Sequence, residues 1–425
     1  VTAACAATRH DVVATDAERS TLELLRSGRT PIFEPGLDEL IATDVAGGRL
    51  SFAPLAEAVA NAEILWMAYD TPVDDNDVPD IAFARARADE LRRARPDALL
   101  LLSSQIPSGF CADLQAAHQA EFGRRLRIAY SPENLRLGSA LATFLDADRF
   151  VVGVDDPDDR ALLDELFRSF GRPVVWMSVA SAEVTKHAIN GFLATSISFT
   201  NEIAAVCEAT GADAADVERG LRSDARIGPT SYVKPGPGYA GGTLARDVRT
   251  LAMLGDRFTL PLPLLRAVAK SNDLNRAWLR RRLAAESTLR GSTVAVIGLT
   301  YKGGTNTLRR SSAVELAQWL LSEGAIVKAY DPAITSLTGS GIEGAVLEPS
   351  LAAVLAGANS VAIVNEVPGL RELAIADAAS LMSPTPLVLD APRILPKTFL
   401  SDPRVRYRSI GVKAAETPQV QVTPG

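Results

Sequence analysis

Lys186 and Asn190 stand four residues apart in a proline-free run, residues 182–211, whose apolar positions recur at helical spacing and which Gly211 stops. Side chains at i and i+4 share one face of a helix, so an amine and a carboxamide are presented toward the same point. Taken alone, the pair reads equally as a solvated lysine beside a helix-surface asparagine. Asp16 ends the β-rich run at residues 11–15. A dinucleotide fold places a carboxylate there to accept hydrogen bonds from ribose hydroxyls and to repel a 2′-phosphate, which favours NAD over NADP. The same carboxylate could instead cap the helix starting near Ala17. A third feature is the Gly/Pro-dense loop at residues 234–242, either a place where backbone approaches a ligand closely or a plain linker. The chain has 3 cysteines and 3 histidines, none in a metal-ligand spacing, so neither a disulfide scaffold nor a metal site has material. Chemistry is left to carboxylates, Lys, Asn, hydroxyls and a bound cofactor.

The elements around these residues alternate. Short β-rich runs at 11–15, 63–68 and 98–103 are each followed by a turn and a helical pattern, at 17–27, 81–95 and 109–122. Further strands are expected at 127–130, 150–154 and 174–177. That is a doubly wound α/β unit. Beyond the long helix, helical patterns run at 244–254 and 261–286, and a second α/β unit begins at the strand 293–298. It continues with a helix at 312–323 and strands at 326–330, 360–364 and 387–390. The fold expected is therefore α/β: two Rossmann-like doubly wound domains joined by a helical central domain. Two such units across a helical spine suit an enzyme with two nucleotide-bearing ligands.

The composition narrows the partners. The chain has 425 residues, 47% hydrophobic and 22% charged, as in an ordinary globular protein with two or three cores. Its 44 basic and 51 acidic residues give a net charge of −7 with no basic run, which argues against nucleic acid. Apolar stretches end far short of the roughly 20 residues that span a bilayer, and no signal pattern opens the chain, so the protein is read as cytoplasmic with no membrane partner.

An ordered set of motifs resembles the UDP-glucose/GDP-mannose dehydrogenase family over nearly the whole chain. VTAACAATRHDVVATD looks like the segment after that family's GxGYVGL turn, and TPIFEPGLDEL, SPENLRLGSA, KHAINGFLATSISFTNEI, DARIG, PGPGYAGGTLARD and GLTYKGGTNTLRRSSA follow in order. By this comparison the chain begins about 15 residues late, without the first strand and the glycines that hold a pyrophosphate. The resemblance implies an NAD-binding domain over 1–180, a helical central and dimerisation domain over 181–288, and a UDP-sugar-binding domain over 289–425. It also implies oxidation of a sugar C6 alcohol with NAD, a nucleotide sugar (a UDP-hexose favoured) as substrate, and a homodimer or higher homo-oligomer.

By the same resemblance, Lys186 and Asn190 serve proton transfer and the oxyanion, Glu133 orders water or substrate, and Asp247 works beside the lysine. Asp16, Thr71 and Arg309 are assigned to the cofactor. Lys302 lies near phosphates, Gly241 and Tyr239 face the substrate, and Arg226 comes from a subunit boundary. The plainer alternatives are a turn or cap acid for Glu133, an N-terminal helix charge for Asp247, a core tyrosine for Tyr239, and surface cations for Arg226, Lys302 and Arg309. The sequence also departs from the family. Thr243 replaces the motif's cysteine, with Ala245 and Arg246 after it, and Asn134, Leu137 and the pair Ser104-Gln105 differ too. A secondary alcohol is hardly ionised near neutrality, and Cys5, Cys111 and Cys207 do not align with the motif, so the covalent second oxidation loses its nucleophile. The expectation is one oxidation, to an aldehyde or ketone, or a slow second step through a hydrated aldehyde, with a catalytically impaired nucleotide-sugar-binding homologue as the rival.

Overall fold

The computed structural model describes residues 1–31, 34–74, 79–133, 135, 138–240, 242–301 and 305–413. Gly241 and Lys302 lie outside these residues, as do Asn134, Leu137 and the expected tail at 414–425. Two compact units are present, residues 1–189 and 190–425.

The first unit runs α1 (Thr2–Ala7), β1 (Val12–Ala14), α2 (Arg19–Arg26), α3 (Leu37–Ala46), β2 (Leu50–Phe52), α4 (Leu55–Ala58), β3 (Ile64–Met67), α5 (Ile81–Ala94), β4 (Leu99–Leu102) and α6 (Phe110–Phe122). It continues with β5 (Ile128–Tyr130), α7 (Ala140–Leu145), β6 (Phe150–Val154), α8 (Pro157–Arg168) and β7 (Val174–Met177), and enters α9 (Val179–Thr210), inside which the units divide. Strands β3 to β7 form one sheet in chain order, and β1 and β2 form a separate parallel pair. Strand β4 shows why four consecutive leucines make a strand. Leu99 and Leu101 enter the core on one face, Leu100 and Leu102 the core on the other, and all four are buried. A parallel strand covered on both faces reads as a continuous apolar run, and each such leucine contributes about 1.5–3 kcal/mol by burial. One feature departs from a uniformly parallel doubly wound sheet: β6 pairs antiparallel with β5, Tyr130 opposite Gly153, and β7 follows β6.

The second unit holds the rest of α9, then α10 (Ala214–Ser223), α11 (Thr243–Arg257), α12 (Pro263–Arg276) and α13 (Trp278–Glu286). Its sheet follows with β8 (Thr293–Ile297), α14 (Ser312–Ser322), β9 (Ile326–Tyr330), β10 (Val346–Leu347), α15 (Leu351–Leu355), β11 (Ser360–Ile363), α16 (Ile375–Leu381), β12 (Leu387–Asp390) and β13 (Arg406–Ser409). The order β10-β9-β8-β11-β12-β13 is all parallel and reverses direction between β8 and β11, which makes it doubly wound. The expected fold class stands. The helical pattern expected at 261–286 forms two helices that meet at Ala277, with no Gly or Pro at the break. A polar staple fastens helices to this sheet: Glu208 accepts from Trp278 Nε1 at 3.1 Å and Gly411 N at 2.9 Å, and Arg393 grips Asp213 through both guanidinium ends at 2.5 and 2.6 Å.

Gly153 lets β6 approach the start of α9 closely. A Cβ there would lie 2.6 Å from Ala182 Cβ and 2.9 Å from Ser178 O. Gly153→Ala is expected to destabilise the first unit by about 1–3 kcal/mol through overpacking, read as an earlier urea transition. An unchanged midpoint would show that α9 is free to shift outward.

Candidate functional site

In an open α/β sheet, ligands bind beyond the carboxyl ends of the strands. In the first unit those ends carry Asp16 after β1, Thr71 after β3, Ser103 to Gln105 after β4 and Glu133 after β5. Asp16 is half-buried and accepts Glu18 N–H at 2.8 Å, closing a local turn. Helix α2 begins only at Arg19 with Glu18 at its cap position, so the capping alternative for Asp16 is not what forms. Ala17 N–H meets the Tyr69 hydroxyl at 3.0 Å, which ties the end of β1 to the segment after β3. Thr71 is buried and donates to Gln105 O at 2.7 Å, leaving only lone pairs to offer a ligand.

Two further residues at these ends were not among the expected site residues. Thr15 Oγ1, after β1, and Ser104 Oγ, after β4, are shielded from solvent without a hydrogen-bond partner among the described residues. Buried hydroxyls are normally paired, so two orphans at the carboxyl ends of strands in the first unit fit a polar ligand. The signal available in sequence was position alone: Thr15 closes one β-rich run and Ser104 follows another by one place.

Glu133 is brought against α1. Its Oε2 accepts the Thr2 hydroxyl at 3.0 Å, while Oε1 is shielded and unpaired among the described residues. Burial pushes the carboxyl up to about 7, against the smaller opposing pull of the Thr2 hydrogen bond. A carboxyl balanced near neutrality suits proton exchange. Lys186 lies buried on α9 between Glu183 and His187, so it is not the solvated lysine of the plainer reading.

In the second unit Asn190 Nδ2 donates to Asp247 Oδ2, and both residues are buried. A carboxylate only accepts, so this bond fixes which end of the amide faces Asp247 and leaves the second N–H for another oxygen. Asp247 is therefore a buried partner of Asn190, not a surface charge at the start of α11. Thr243 is the first residue of α11, exposed, behind Gly242 at φ 69 and ψ −129, a conformation open only to glycine. The loop before it hangs on three asparagines that sequence reasoning had not singled out. Asn201 Oδ1 accepts Gly236 N–H at 3.0 Å, Asn275 Nδ2 donates to Gly236 O at 3.0 Å, and Asn272 Nδ2 donates to Tyr239 O at 2.9 Å. Their signal is periodicity: Asn201 lies three helical turns past Asn190, on the same face of α9. The Tyr239 hydroxyl is shielded and without a hydrogen-bond partner among the described residues, and burial pushes it up to about 12.

Arg226 stands apart on the surface, its side chain 89% exposed and paired only with Asp224 at 2.7 Å among the described residues. Arg309 is exposed as well. The acid that ends β9, Asp331, is 5% exposed and accepts from Thr300 N, Thr300 Oγ1 and Ala333 N at 3.0–3.1 Å. The acids that follow β1 and β9 are thus not chemically equivalent: Asp16 is partly open and Asp331 is buried and satisfied. Among the described residues no group of three His, Cys, Asp or Glu could hold a metal ion, and no helix is long and apolar enough to cross a membrane.

Residues 1–171 match the NAD binding domain of the UDP-glucose/GDP-mannose dehydrogenase family, residues 180–274 its central domain and residues 295–397 its UDP binding domain. The UDP-glucose 6-dehydrogenase of Rhizobium meliloti (strain 1021) is 34% identical over 413 residues, covering 95% of this chain and 94% of that protein. UDP-glucose 6-dehydrogenase YwqF of Bacillus subtilis (strain 168) is 32% identical over 412 residues, covering 95% and 93%. The structure of a UDP-glucose dehydrogenase from the hyperthermophilic archaeon Pyrobaculum islandicum superposes with a TM-score of 0.83 at 29% identity, over 96% of this chain and 94% of that one.

The shift of Glu133 makes folding depend on pH. Its folded pKa, about 7, stands above the ordinary 4.5, so the native state binds the extra proton and stability falls as pH rises through that window, by up to about 3 kcal/mol. Glu133→Gln removes this loss. The variant is expected to gain on the parent steadily between about pH 5 and about pH 8 in urea melts. Parallel stability curves would show that the carboxyl is hydrated.

Proposed function

The chain belongs to the UDP-glucose/GDP-mannose dehydrogenase family and is an NAD-dependent nucleotide-sugar dehydrogenase; from that premise we propose that it oxidises a UDP-hexose, UDP-glucose foremost, once at the C6 alcohol. The substrate follows from the two relatives above, each a UDP-glucose 6-dehydrogenase matched along almost its full length. NAD, when bound, supplies the acceptor for the hydride. The half-open Asp16 carboxylate suits the adenosine ribose, and Thr15, Thr71 and Ser104 offer polar contacts at the same strand ends.

In this reading Lys186 takes the C6 hydroxyl proton or steadies the alkoxide, and its burial strengthens both roles. Asn190 adds a donor, the N–H that Asp247 leaves over. Glu133, near neutrality, passes the proton on through water. Loop backbone around Gly241 and the ring of Tyr239 lie along the sugar, and Lys302 and Arg309 meet phosphate oxygens of substrate and cofactor. The observation that carries the single-step reading is Thr243. It occupies the first position of α11 behind a glycine-only turn, so its place is rigid, but its hydroxyl is not ionised near neutrality. A helix N-terminus lowers a thiol into a useful range and leaves an alcohol far outside it. The protein is then a source of nucleotide-sugar aldehyde rather than uronate.

We further infer a homodimer through α9. Phe192, Phe199 and Val206 follow at seven-residue steps and are 71%, 51% and 55% exposed, a stripe of the kind that pairs two helices. Arg226, held outward by Asp224, is then free to serve a neighbouring subunit. The cytoplasm is the proposed location, in keeping with three free buried cysteines.

Counting NADH per UDP-glucose at completion tests the chemistry. One equivalent is expected from the native protein, rising toward two in Thr243→Cys. Two equivalents at a normal rate from the native protein would refute the role given to Thr243, and sugar binding without any NADH would favour the impaired homologue. For assembly, Phe192→Asp with Phe199→Asp is expected to halve the mass seen by sedimentation. An unchanged mass would move the interface elsewhere.

A further inference from the structure

The segment from β4 to α6, residues 103–109, is tied down from two directions. Thr71 Oγ1 donates to Gln105 O at 2.7 Å from the side of β3. From the side of α9, the Glu183 carboxylate accepts Gly109 N–H at 2.6 Å and Cys111 N–H at 2.9 Å, and His187 Nε2 lies 3.2 Å from Ile106 O. A carbonyl only accepts, so Nε2 carries the proton. Glu183 is 2% exposed and His187 1%. Gly109 is the cap residue of α6, at φ 94, and has no side chain to satisfy the first-turn amides. Glu183 does so from another helix, and its negative charge sits where the α6 dipole favours it.

Residues 183, 186 and 187 fall at i, i+3 and i+4, hence on one face of α9. Two of the three are fastened to the β4–α6 segment, so the third, Lys186, has no freedom of height or azimuth relative to the carboxyl end of the sheet. We propose that Glu183 and His187 are positioning residues for hydride transfer, holding Lys186 in register with the segment that follows β4. This rests on Lys186 acting on the substrate hydroxyl. Proton transfer demands donor and acceptor within hydrogen-bond reach, and a displacement of about 1 Å lowers the rate about 100-fold.

The test compares Glu183→Ala, Glu183→Gln, His187→Phe and His187→Gln, each with Lys186 intact and in Lys186→Ala, with UDP-glucose and NAD. With Lys186 intact, Glu183→Ala is expected to lower kcat about 100-fold while both KM values stay within about threefold. Glu183→Gln keeps one accepting oxygen and is expected to lose about 10-fold. His187→Gln places an amide N–H near the same carbonyl and restores most of what His187→Phe loses. In Lys186→Ala none of the four lowers the residual rate further, because the effect runs through the lysine. Independently of turnover, amide hydrogen exchange at residues 109–112 is expected to accelerate at least about 10-fold in the Glu183 variants.

Losses that multiply with Lys186→Ala, KM values that rise in step with the loss of kcat, or an unchanged kcat in all four variants would overturn the positioning role while leaving Lys186 in place. A Lys186→Ala enzyme with full kcat would instead remove Lys186 from the reaction, and the positioning role with it. If Glu183→Ala does not fold, the His187 pair decides by the same criteria.

Discussion

A carboxylate taken out of water must be met by donors, and the interior of this protein is arranged around that requirement. In the first unit arginines meet Asp44 and Asp159, and helix ends meet two glutamates. Glu34 accepts Gly138 and Ala140 N–H at 2.7 Å each at the start of α7, and Glu183 does the same for α6. Each joins segments far apart in sequence through amides that would otherwise lack partners. In the second unit the donors are mixed. Asn190 meets Asp247, Thr300 meets Asp331, and Asp390 takes Ile394 N, Leu395 N and the Tyr407 hydroxyl. Removing a donor in any of these places strands a charge, which destabilises more than the lost hydrogen bond alone.

The same requirement leaves the two units different at the ends of their strands. Where the first leaves Asp16 partly open at the end of β1, the second folds Asp331 inward at the end of β9. Two domains with one architecture therefore present different chemistry at corresponding places, and fold alone would not have told them apart. The family match adds the assignment of NAD to the first and UDP to the second.

What the sequence revealed follows from what is local. Strands such as β4 and β9 announce themselves by apolar, β-rich runs between turns, and α9 by its unbroken period. Helix α3 did not stand out, because its buried face reads Leu37, Ile41, Asp44, and the acid, paired with Arg49 at 2.6 Å, interrupts the apolar stripe. The antiparallel entry of β6 was invisible, since alternation is the same in either direction. The break at Ala277 carries no Gly or Pro. At the site, the ordered motifs pointed to Lys186, Asn190, Glu133 and Asp247, but not to the Asn190–Asp247 bond or the Thr2 contact of Glu133. Polar residues that work by holding others, such as Glu183 and Asn272, look in sequence like any solvated side chain.

The reversal at β6 has a consequence for how this chain can change over time. Because β6 and β7 run against β3 to β5 with a stagger, Met177 at the end of β7 stands level, through Gly153, with Tyr130 and Leu102, the last residues of β5 and β4, and α9 begins after the single residue Ser178. The height and direction of Lys186 on α9 are set by the number of residues that separate it from Ser178. One inserted or deleted residue between Ser178 and Lys186 would swing the side chain by about 100° and shift it by about 1.5 Å. Length variation should therefore be tolerated in the surface loops of this protein and purged from those seven positions, whatever amino acids occupy them.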